Sequence, residues 1–466
     1  MRHLFGLKSF WNFLRRNKLF TAINIFGFAV SLMFVVLIGL YIQDELRVDR
    51  QHEKGERIYR LEHAKGVLFG APTAPGLEAR YSEIEATVRI WGYPGGQLYS
   101  PVMEQLFWGD VWYADSTLFD VFSFPFVEGD PHTALQAKNN IVLSESFARK
   151  LFGNRSAVGQ PVKVSEKSRA EFIVSGVIRD IDRTHFRSVD MIYPMSKLQA
   201  EDRMFQTNFD DFGTRSYATY VLTKPGADLS SKTAEMPAFF RELGDPTFVN
   251  DPTQTIRLVS LRDIYLHPAI DNTGLFRGNN ATFVLILGLT AVLILVFAVI
   301  NYINLSVAQS GFRAKEAATR RLLGGSRGSL FGGFILESLI ICFVSFVLGL
   351  LMASSVEPWF REVMQTDISI KENFTTENVL LALAGVLVIG AVSGLVPAFV
   401  LTRFQTDRCG TGNVPPSDQN GLQQGLDRFS VLHYHCLARL YDHGDPADEL
   451  HDEDRLRLPA RLPPHL

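Results

Sequence analysis

The sequence predicts a membrane protein with four transmembrane α-helices and a large α+β domain inserted between helices 1 and 2. Four long apolar runs support the helices, because a bilayer core of about 30 Å needs about 20 apolar residues of helix. About 235 residues of mixed strand and helix patterns separate the first two runs, and this mixture supports the α+β class. The 466 residues carry a net charge of −3, so no basic face indicates nucleic-acid binding.

The four predicted spans cover residues 19–42, 281–308, 330–356 and 378–402. Inside a bilayer each must satisfy its own backbone hydrogen bonds, which favours helix. Pro397 is expected to kink the fourth span, because proline lacks an N–H group. A signal peptide is the alternative for the first run, but the run exceeds the usual length and no A-x-A-like site follows it.

The charges that flank the spans predict the orientation. Residues 1–18 and the segment 309–329 are rich in Arg and Lys, whereas 357–377 is mostly acidic. Positive-inside bias therefore places the N-terminus, 309–329 and the C-terminal 403–466 in the cytoplasm. The domain 43–280 and the loop 357–377 then lie on the opposite side of the membrane from the cytoplasm.

Within 43–280 the pattern predicts a strand, a helix over 147–152 capped by Ser144, and a turn at Gly153. A second helix is predicted over 231–243, with Pro237 either splitting it or marking its first turn. The predicted strands cover 141–143, 160–164, 171–178, 217–223 and 255–261.

No catalytic, cofactor or metal site is predicted in this domain. Its histidines are scattered, without an H-x-x-x-H pair, and its sequence has no G-x-S-x-G elbow. The histidines in question are His52, His63, His132, His185 and His267. The domain is expected to bind or transmit rather than to catalyse.

Several segments carry a resemblance to a known family. The sequence reads N-F-L-R-R-N-K-L-F-T-A-I-N-I-F-G from residue 12, I-V-L-S-E-S-F-A-R-K-L-F-G from residue 141 and V-S-L-R-D-I-Y-L-H from residue 259. It continues as N-Y-I-N-L-S-V-A-Q-S-G-F-R-A-K-E-A-A-T-R-R-L-L-G-G from residue 301. In this order, over about 1–405, the series resembles the FtsX/MacB-type permeases of ABC transporters, in their large Bacteroidetes-like form.

The resemblance implies a first helix, a MacB-like periplasmic core domain and three more helices that carry an FtsX-like permease domain. It places the chain in a bacterial inner membrane, with the domain 43–280 and the loop 357–377 in the periplasm. It also implies efflux-type transport powered by an ATPase. No G-x-x-x-x-G-K-[ST] motif occurs in the sequence, so ATP hydrolysis is expected from a partner chain. A homodimer or heterodimer with another permease half, and a periplasmic adaptor or lipoprotein, are further expected partners.

A coupling interface with the ATPase is predicted on the cytoplasmic segment. Positions 313, 316, 317 and 320 share one face of a helix, and charged residues there can form ion pairs with a soluble partner. The alternative is that these charges only obey the positive-inside bias. The predicted interface residues are Arg313, Lys315, Glu316, Arg320, Arg321, Leu322, Leu323 and Gly324.

Four polar residues lie in or beside the apolar spans: Asn24, Asn301, Asn304 and Glu337. For the asparagines, interhelical hydrogen bonds worth about 0.6–2 kcal/mol are favoured over a transport pathway. Glu337 is expected near the interface, paired with a basic residue of the coupling segment.

Residues 403–466 depart from the family pattern, and their Asp-, His- and Pro-rich sequence has no apolar period. We expect a disordered remnant of a frameshift, since a shifted frame permits an apolar span. A genuine acidic cytoplasmic tail is the alternative. For the whole chain, the alternative function is a membrane-anchored sensor or ligand-binding protein without transport activity.

Overall fold

The computed structural model describes residues 18–168, 171–201, 212, 215–268, 275–308 and 326–403. Contacts divide the chain into two compact units. Unit 1 takes in 1–36, 293–360 and 369–466, and unit 2 takes in 37–292 and 361–368. The predicted interface residues of the coupling segment, which lie between 313 and 324, and the tail from residue 404 are outside the described residues.

The four predicted transmembrane helices are confirmed among the described residues, and all four are long and apolar enough to cross a membrane. They are α1 (Lys18–Glu45), α9 (Ala281–Ala308), α10 (Arg327–Met364) and α11 (Thr376–Arg403). Helix α10 extends past the predicted span into the segment expected to be a periplasmic loop. The extension carries Glu357, Arg361 and Glu362, which suit water rather than lipid, so the helix outlasts its apolar part.

Between α1 and α9 the described residues form seven short helices and eleven strands. The helices are α2 (Thr73–Arg80), α3 (Leu118–Val121), α4 (Glu145–Phe152), α5 (Met195–Glu201), α6 (Met236–Glu242), α7 (Pro246–Asn250) and α8 (Leu261–Ile264). The strands are β1 (Ile58–His63), β2 (Leu68–Gly70), β3 (Ile84–Ser100), β4 (Gln105–Ala114), β5 (Phe126–Gly129), β6 (Asn140–Ser144), β7 (Pro161–Lys163), β8 (Glu171–Ile178), β9 (Met191–Pro194), β10 (Arg215–Thr223) and β11 (Ile256–Ser260).

The described strands form one mixed sheet in the order β11-β1-β10-β3-β4-β9-β6-β8-β5. Strand β2 also pairs with β10, and β7 pairs with β3 and β8. The long β3–β4 hairpin supplies the centre, and β4–β9 and β6–β8 are the parallel pairs. The sheet and its helices confirm the predicted α+β class.

Both faces of the sheet are covered. Along β10, Ala218 and Tyr220 join one buried cluster, while Tyr217 and Val221 join the clusters on the other face. This alternation is the period of two that a strand imposes on its side chains. The face of Tyr220 carries the aromatic residues that surround the site described below.

In unit 1 all four long helices contribute to one core. Phe28 of α1 meets Tyr302 of α9 edge to face, with ring centroids 5.6 Å apart, and Ile341 and Val386 add α10 and α11. Helices α1 and α10 approach closely at Gly349, where an added Cβ would lie 2.7 Å from the carbonyl oxygen of Ala29. Small residues that permit such close approach are typical of membrane helix packing.

Candidate functional site

The candidate site lies in unit 2, where the chain leaves α1 and where it enters α9. We call it the junction and define it as residues 41–55, 182–187 and 275–279. Asp49 is its centre, although it is only four residues beyond the end of α1. Its backbone has a φ of 58°, a left-handed conformation that aspartate tolerates better than most residues, and its N–H donates to the carbonyl of Arg183 at 2.9 Å.

The Asp49 carboxylate is fully buried and accepts hydrogen bonds from two consecutive residues. The Thr184 hydroxyl donates to Oδ1 at 2.6 Å, while the His185 backbone N–H and its Nδ1 reach Oδ2 at 3.1 and 2.8 Å. A buried charge is tolerable when it is paired and hydrogen-bonded in this way. The segment 184–185 is thereby fixed to the end of α1.

His185 carries the contact from Asp49 into the middle of the sheet. Its Nε2 lies 2.7 Å from the hydroxyl of Tyr220 on β10, and its ring stacks on Phe276 with centroids 5.8 Å apart. Since Nδ1–H donates to Asp49, the neutral ring accepts at Nε2 from the Tyr220 hydroxyl.

Farther from Asp49, a second buried pair continues the polar contacts across the same face. The Tyr220 hydroxyl is also hydrogen-bonded to Arg60 of β1. Arg60 in turn donates to Glu62 at 2.6 Å, with both side chains 2% exposed. Side chains from residues 49, 185, 220, 60 and 62 therefore form one continuous polar chain inside the domain.

The same segment of the domain also holds the chain that enters α9. The Arg277 N–H donates to the carbonyl of His185 at 2.8 Å, and its Nε donates to that of Thr184 at 2.6 Å. In return Arg187 donates its N–H to the carbonyl of Leu275 at 3.0 Å. Residues 184–187 thus bind the segments that follow α1 and precede α9 at the same time.

A direct contact joins the end of α1 to the start of α9 within unit 2. The Asn279 amide donates to the Tyr41 hydroxyl at 2.7 Å and to Glu45 Oε2 at 2.9 Å. Arg183 adds an ion pair to Asp44 at 2.8 Å. Together these bonds hold the two helix ends and the domain as one body.

His52 completes the buried cluster and has an unusual environment. Its Nδ1 accepts from the Ser123 backbone N–H at 3.1 Å, so a neutral ring carries its proton on Nε2. That buried Nε2 has no hydrogen-bond partner among the described residues and lies 3.8 Å from Asp49 Oδ1. Phe122 and Phe124 pack edge-on against the ring, at 5.2 and 5.3 Å.

The buried environment shifts the pKa values of His52, His185 and Asp49. Burial lowers the pKa of His52 to about 4, although the charge of Asp49 opposes this. Burial also lowers the pKa of His185, against the opposing effect of Asp49. Burial alone would raise the pKa of Asp49, but the imidazole of His185 and the Thr184 hydroxyl together lower it. The resting cluster is therefore an ionised carboxylate with two neutral imidazoles.

The line from Asp49 through His185 to Tyr220 has the hydrogen-bond order of a nucleophile relay, but it cannot act as one. All three side chains are buried, so a substrate cannot reach the hydroxyl, and burial raises the pKa of Tyr220 above its usual value. Among the described residues no group of three or more His, Cys, Asp or Glu side chains could hold a metal ion. The geometry supports a structural link rather than chemistry.

The residues predicted from the sequence lie elsewhere. Every predicted residue of the coupling interface falls in 309–325, outside the described residues. Of the predicted membrane contacts, Asn24 and Asn304 have buried Oδ1 atoms without a hydrogen-bond partner in the described part of the chain. Asn301 lies across from Gly27, and Glu337 is half-buried beside Ser338 of α10. The interhelical bonds proposed for the asparagines, and the pairing of Glu337, stay predictions.

Sequence patterns do not identify the junction residues, because His52 and His185 are scattered histidines that belong to no metal or catalytic motif in the sequence. Asp49 and His52 are three residues apart, but the partners of Asp49 lie about 135 positions away and the partner of His52 lies 71 positions away. The available sequence signal is the segment Y-I-Q-D-E-L-R-V-D-R-Q-H at 41–52, which contains both Asp49 and His52 and belongs to the series that resembles the family.

Comparison with known proteins covers both units. A family model described as the MacB-like periplasmic core domain matches residues 21–239, and one described as the FtsX-like permease C-terminal matches 288–406. The macrolide export ATP-binding/permease protein MacB of Chromobacterium violaceum is 25% identical over 260 residues, which are 55% of this chain. The match spans 36% of that relative, so this chain covers about a third of its length.

Two solved structures are similar to the α+β domain between α1 and α9, which we call the outer domain. The periplasmic region of MacB from Actinobacillus actinomycetemcomitans aligns with a TM-score of 0.32 at 18% identity, covering 44% of this chain and 89% of that one. The extracellular domain of the noncanonic ABC-type transporter YknZ from Gram-positive bacteria aligns at 0.31 and 18%, covering 43% and 99%.

Proposed function

Because the chain belongs to the FtsX/MacB-type permeases of ABC transporters, we propose that it relays the ATP-driven motion of a separate ATPase to its outer domain. The relayed motion would drive export or extraction of a substrate. The single observation that carries the proposal is that residues 184–187 bind the segments next to both α1 and α9. A domain held this way follows the tilt of both helices.

The proposal assigns a mechanical role to the buried bonds. Coupling between distant sites is carried by packed side chains and hydrogen-bond networks between rigid elements. If only one helix were attached, the domain could swivel about that connection. Two attachments, with the Asn279 bonds between them, oppose such swivelling.

The motion would enter at the cytoplasmic segment, on the face that contains Glu316 and Arg320. The distribution of basic residues supports a cytoplasmic N-terminus and a periplasmic outer domain. The ATPase is a partner in this proposal, since the sequence has no phosphate-binding G-x-x-x-x-G-K-[ST] loop. Two permease chains would present one such face each to an ATPase dimer.

The coupling face is tested by reversing both charges, with Glu316→Arg and Arg320→Glu in one chain. The double variant should insert and fold normally but lose stimulation of the partner ATPase, because its ion pairs become repulsive. The matched control reverses the exposed pair Glu166 and Lys167 of the outer domain and should keep full stimulation. Full stimulation in the coupling variant would reduce these charges to topology markers.

A further inference from the structure

The two buried histidines of the junction suggest a response to acid. His52 and His185 lie on opposite sides of the Asp49 carboxylate, with side chains that are 0% exposed. The hydrogen bond from the Ser123 N–H requires a neutral His52, and the Tyr220 hydroxyl donates to His185 only while that ring is neutral. A proton added to either ring therefore changes the bonding, not only the charge.

For His52 the geometry makes the conflict explicit. A protonated ring carries hydrogen on both nitrogens, so Nδ1 could no longer accept from the Ser123 N–H, which lies 3.1 Å away. Two donors would then face each other inside a pocket walled by Phe122 and Phe124. The new charge would also be desolvated there, at an energetic cost.

For His185 the conflict arises at Tyr220. A protonated Nε2 would donate to the Tyr220 oxygen, which already takes part in a hydrogen bond with Arg60. The hydroxyl hydrogen that now points at Nε2 would lose its acceptor. The charged and titratable groups that face the two rings are Asp49 after α1, Arg60 of β1, Tyr220 of β10 and Arg277 before α9.

We propose that the cluster of Asp49, His52 and His185 is an acid-sensitive lock, which opens the junction more often when the external medium falls below about pH 6. Opening releases residues 184–187 from Asp49, in the segment after α1, and leaves the bonds to the segment before α9 in place. The outer domain then swivels about its remaining attachment beside α9 and no longer follows both helices, a consequence that rests on the proposed relay function. Acid outside the cell would in this way uncouple ATP hydrolysis from transport.

The direction of the effect follows from proton linkage. In an opened junction His52 is solvated and takes up a proton below its usual pKa near 6.5, whereas burial holds its pKa at about 4 in the closed junction. The closed junction therefore has its full stability above about pH 6.5, the open-state pKa of His52. It loses stability as the pH falls from about 6.5 toward about 4, the pKa of His52 in the closed junction. Asp49 stays ionised throughout this window, because its pKa is lowered.

The test is hydrogen exchange of the full chain in lipid nanodiscs at two pH values, about 7.5 and 5.5. Protection factors remove the pH dependence of intrinsic exchange. At 49–55 and 184–187 protection should fall at least about tenfold in acid, since one histidine with an open-state pKa near 6.5 gives that ratio. Strand β4 serves as the internal reference and should keep its protection.

His52→Asn is the decisive variant, because its amide oxygen can accept from the Ser123 N–H without titrating. In this variant the loss of protection between pH 7.5 and 5.5 should be about tenfold smaller than in the wild type, because opening takes up one proton fewer. The control is His132→Asn, which changes an exposed histidine with a side chain 75% accessible and should leave the effect intact. An unchanged acid effect in His52→Asn would overturn the proposal.

The wild-type measurement decides the matter even if the variant does not fold, since protection that is equal at both pH values also overturns it. The exchange readout needs no ATPase. If acid opens the junction while ATPase stimulation and transport stay coupled, the proposed relay through the junction is wrong. If stimulation is absent at every pH, the relay fails while the lock stands.

Discussion

Replacing Asp49 by alanine tests the junction most directly. The substitution removes the acceptor of the Thr184 hydroxyl, the His185 backbone N–H and the His185 imidazole. A buried donor that is left without an acceptor costs about 1–3 kcal/mol, and three donors lose theirs here, so the total loss is about 3 kcal/mol or more. The local opening of the junction should therefore become roughly 10²- to 10⁴-fold more frequent.

The stability lost in Asp49→Ala includes a contribution from backbone strain, which can be separated from the loss of the carboxylate. Asp49 has a φ of 58°, and a side chain such as alanine in that left-handed conformation costs about 1–2 kcal/mol. Asp49→Gly removes this strain but also lacks the carboxylate. It should therefore recover only that smaller part of the loss.

Hydrogen exchange of the full chain at about pH 7.5, where the histidines are neutral, measures the loss at residues 184–187. Asp251→Ala is the matched control. That aspartate also accepts several hydrogen bonds, from Thr253 and Gln254, but it stands in an exposed loop away from the junction. A loss below about tenfold in Asp49→Ala, or full recovery in Asp49→Gly, would refute the role assigned to the carboxylate.

Two further predictions address the membrane part. Cysteines at Ser168 and Asp228 should react with a membrane-impermeant thiol reagent in intact spheroplasts and one at Ala317 should not; the reverse labelling would invert the proposed orientation. Gly349→Val should lower the melting temperature of the chain in detergent, because the added Cβ would lie 2.7 Å from a carbonyl oxygen of α1. The control variant Gly385→Val, at a glycine with open space around it, should leave the melting temperature unchanged. Equal melting temperatures of the two variants would show that α1 and α10 are not closely packed at Gly349.

The elements that the sequence predicts correctly are those controlled by local interactions. Ser144 caps α4 as predicted, and its hydroxyl accepts from the Phe147 N–H at 3.3 Å. Gly153 ends that helix with a φ of 63°, also as predicted. Strand β8 has the predicted bounds, and Pro237 lies in the first turn of α6 rather than splitting a longer helix.

The order of the strands could not be predicted, because it depends on contacts between distant residues. The segment around Gly95 and Gly96 would normally indicate a turn, yet β3 continues through it, with a shift of register between Tyr93 and Gly96. The continuation brings β3 and β4 into the long central hairpin. Only the pairing partner across the sheet makes a bulge more favourable there than a turn.

The junction was hidden for a related reason. A buried aspartate with three donors has no local signature, and Asp49 follows a transmembrane run in which a charged flank is expected anyway. Its role appears only when Thr184 and His185 are placed beside it. His52 and His185 form a cluster only because the fold places them beside Asp49, and their spacing in the sequence does not indicate it.

In the proposed relay, the junction is the feature that lets a domain inserted between two helices follow both of them. Residues 184–187 contact the segment after α1 through bonds to the Asp49 carboxylate. They contact the segment before α9 through backbone N–H groups and arginine side chains. The bonds to Asp49 depend on the protonation of the histidines, whereas the bonds to the segment before α9 do not. Acid would therefore loosen the α1 side first and leave α9 attached, so that the domain would swivel about one connection rather than detach. Rigid transmission needs both sets, and the titratable set is the one that an external signal can remove.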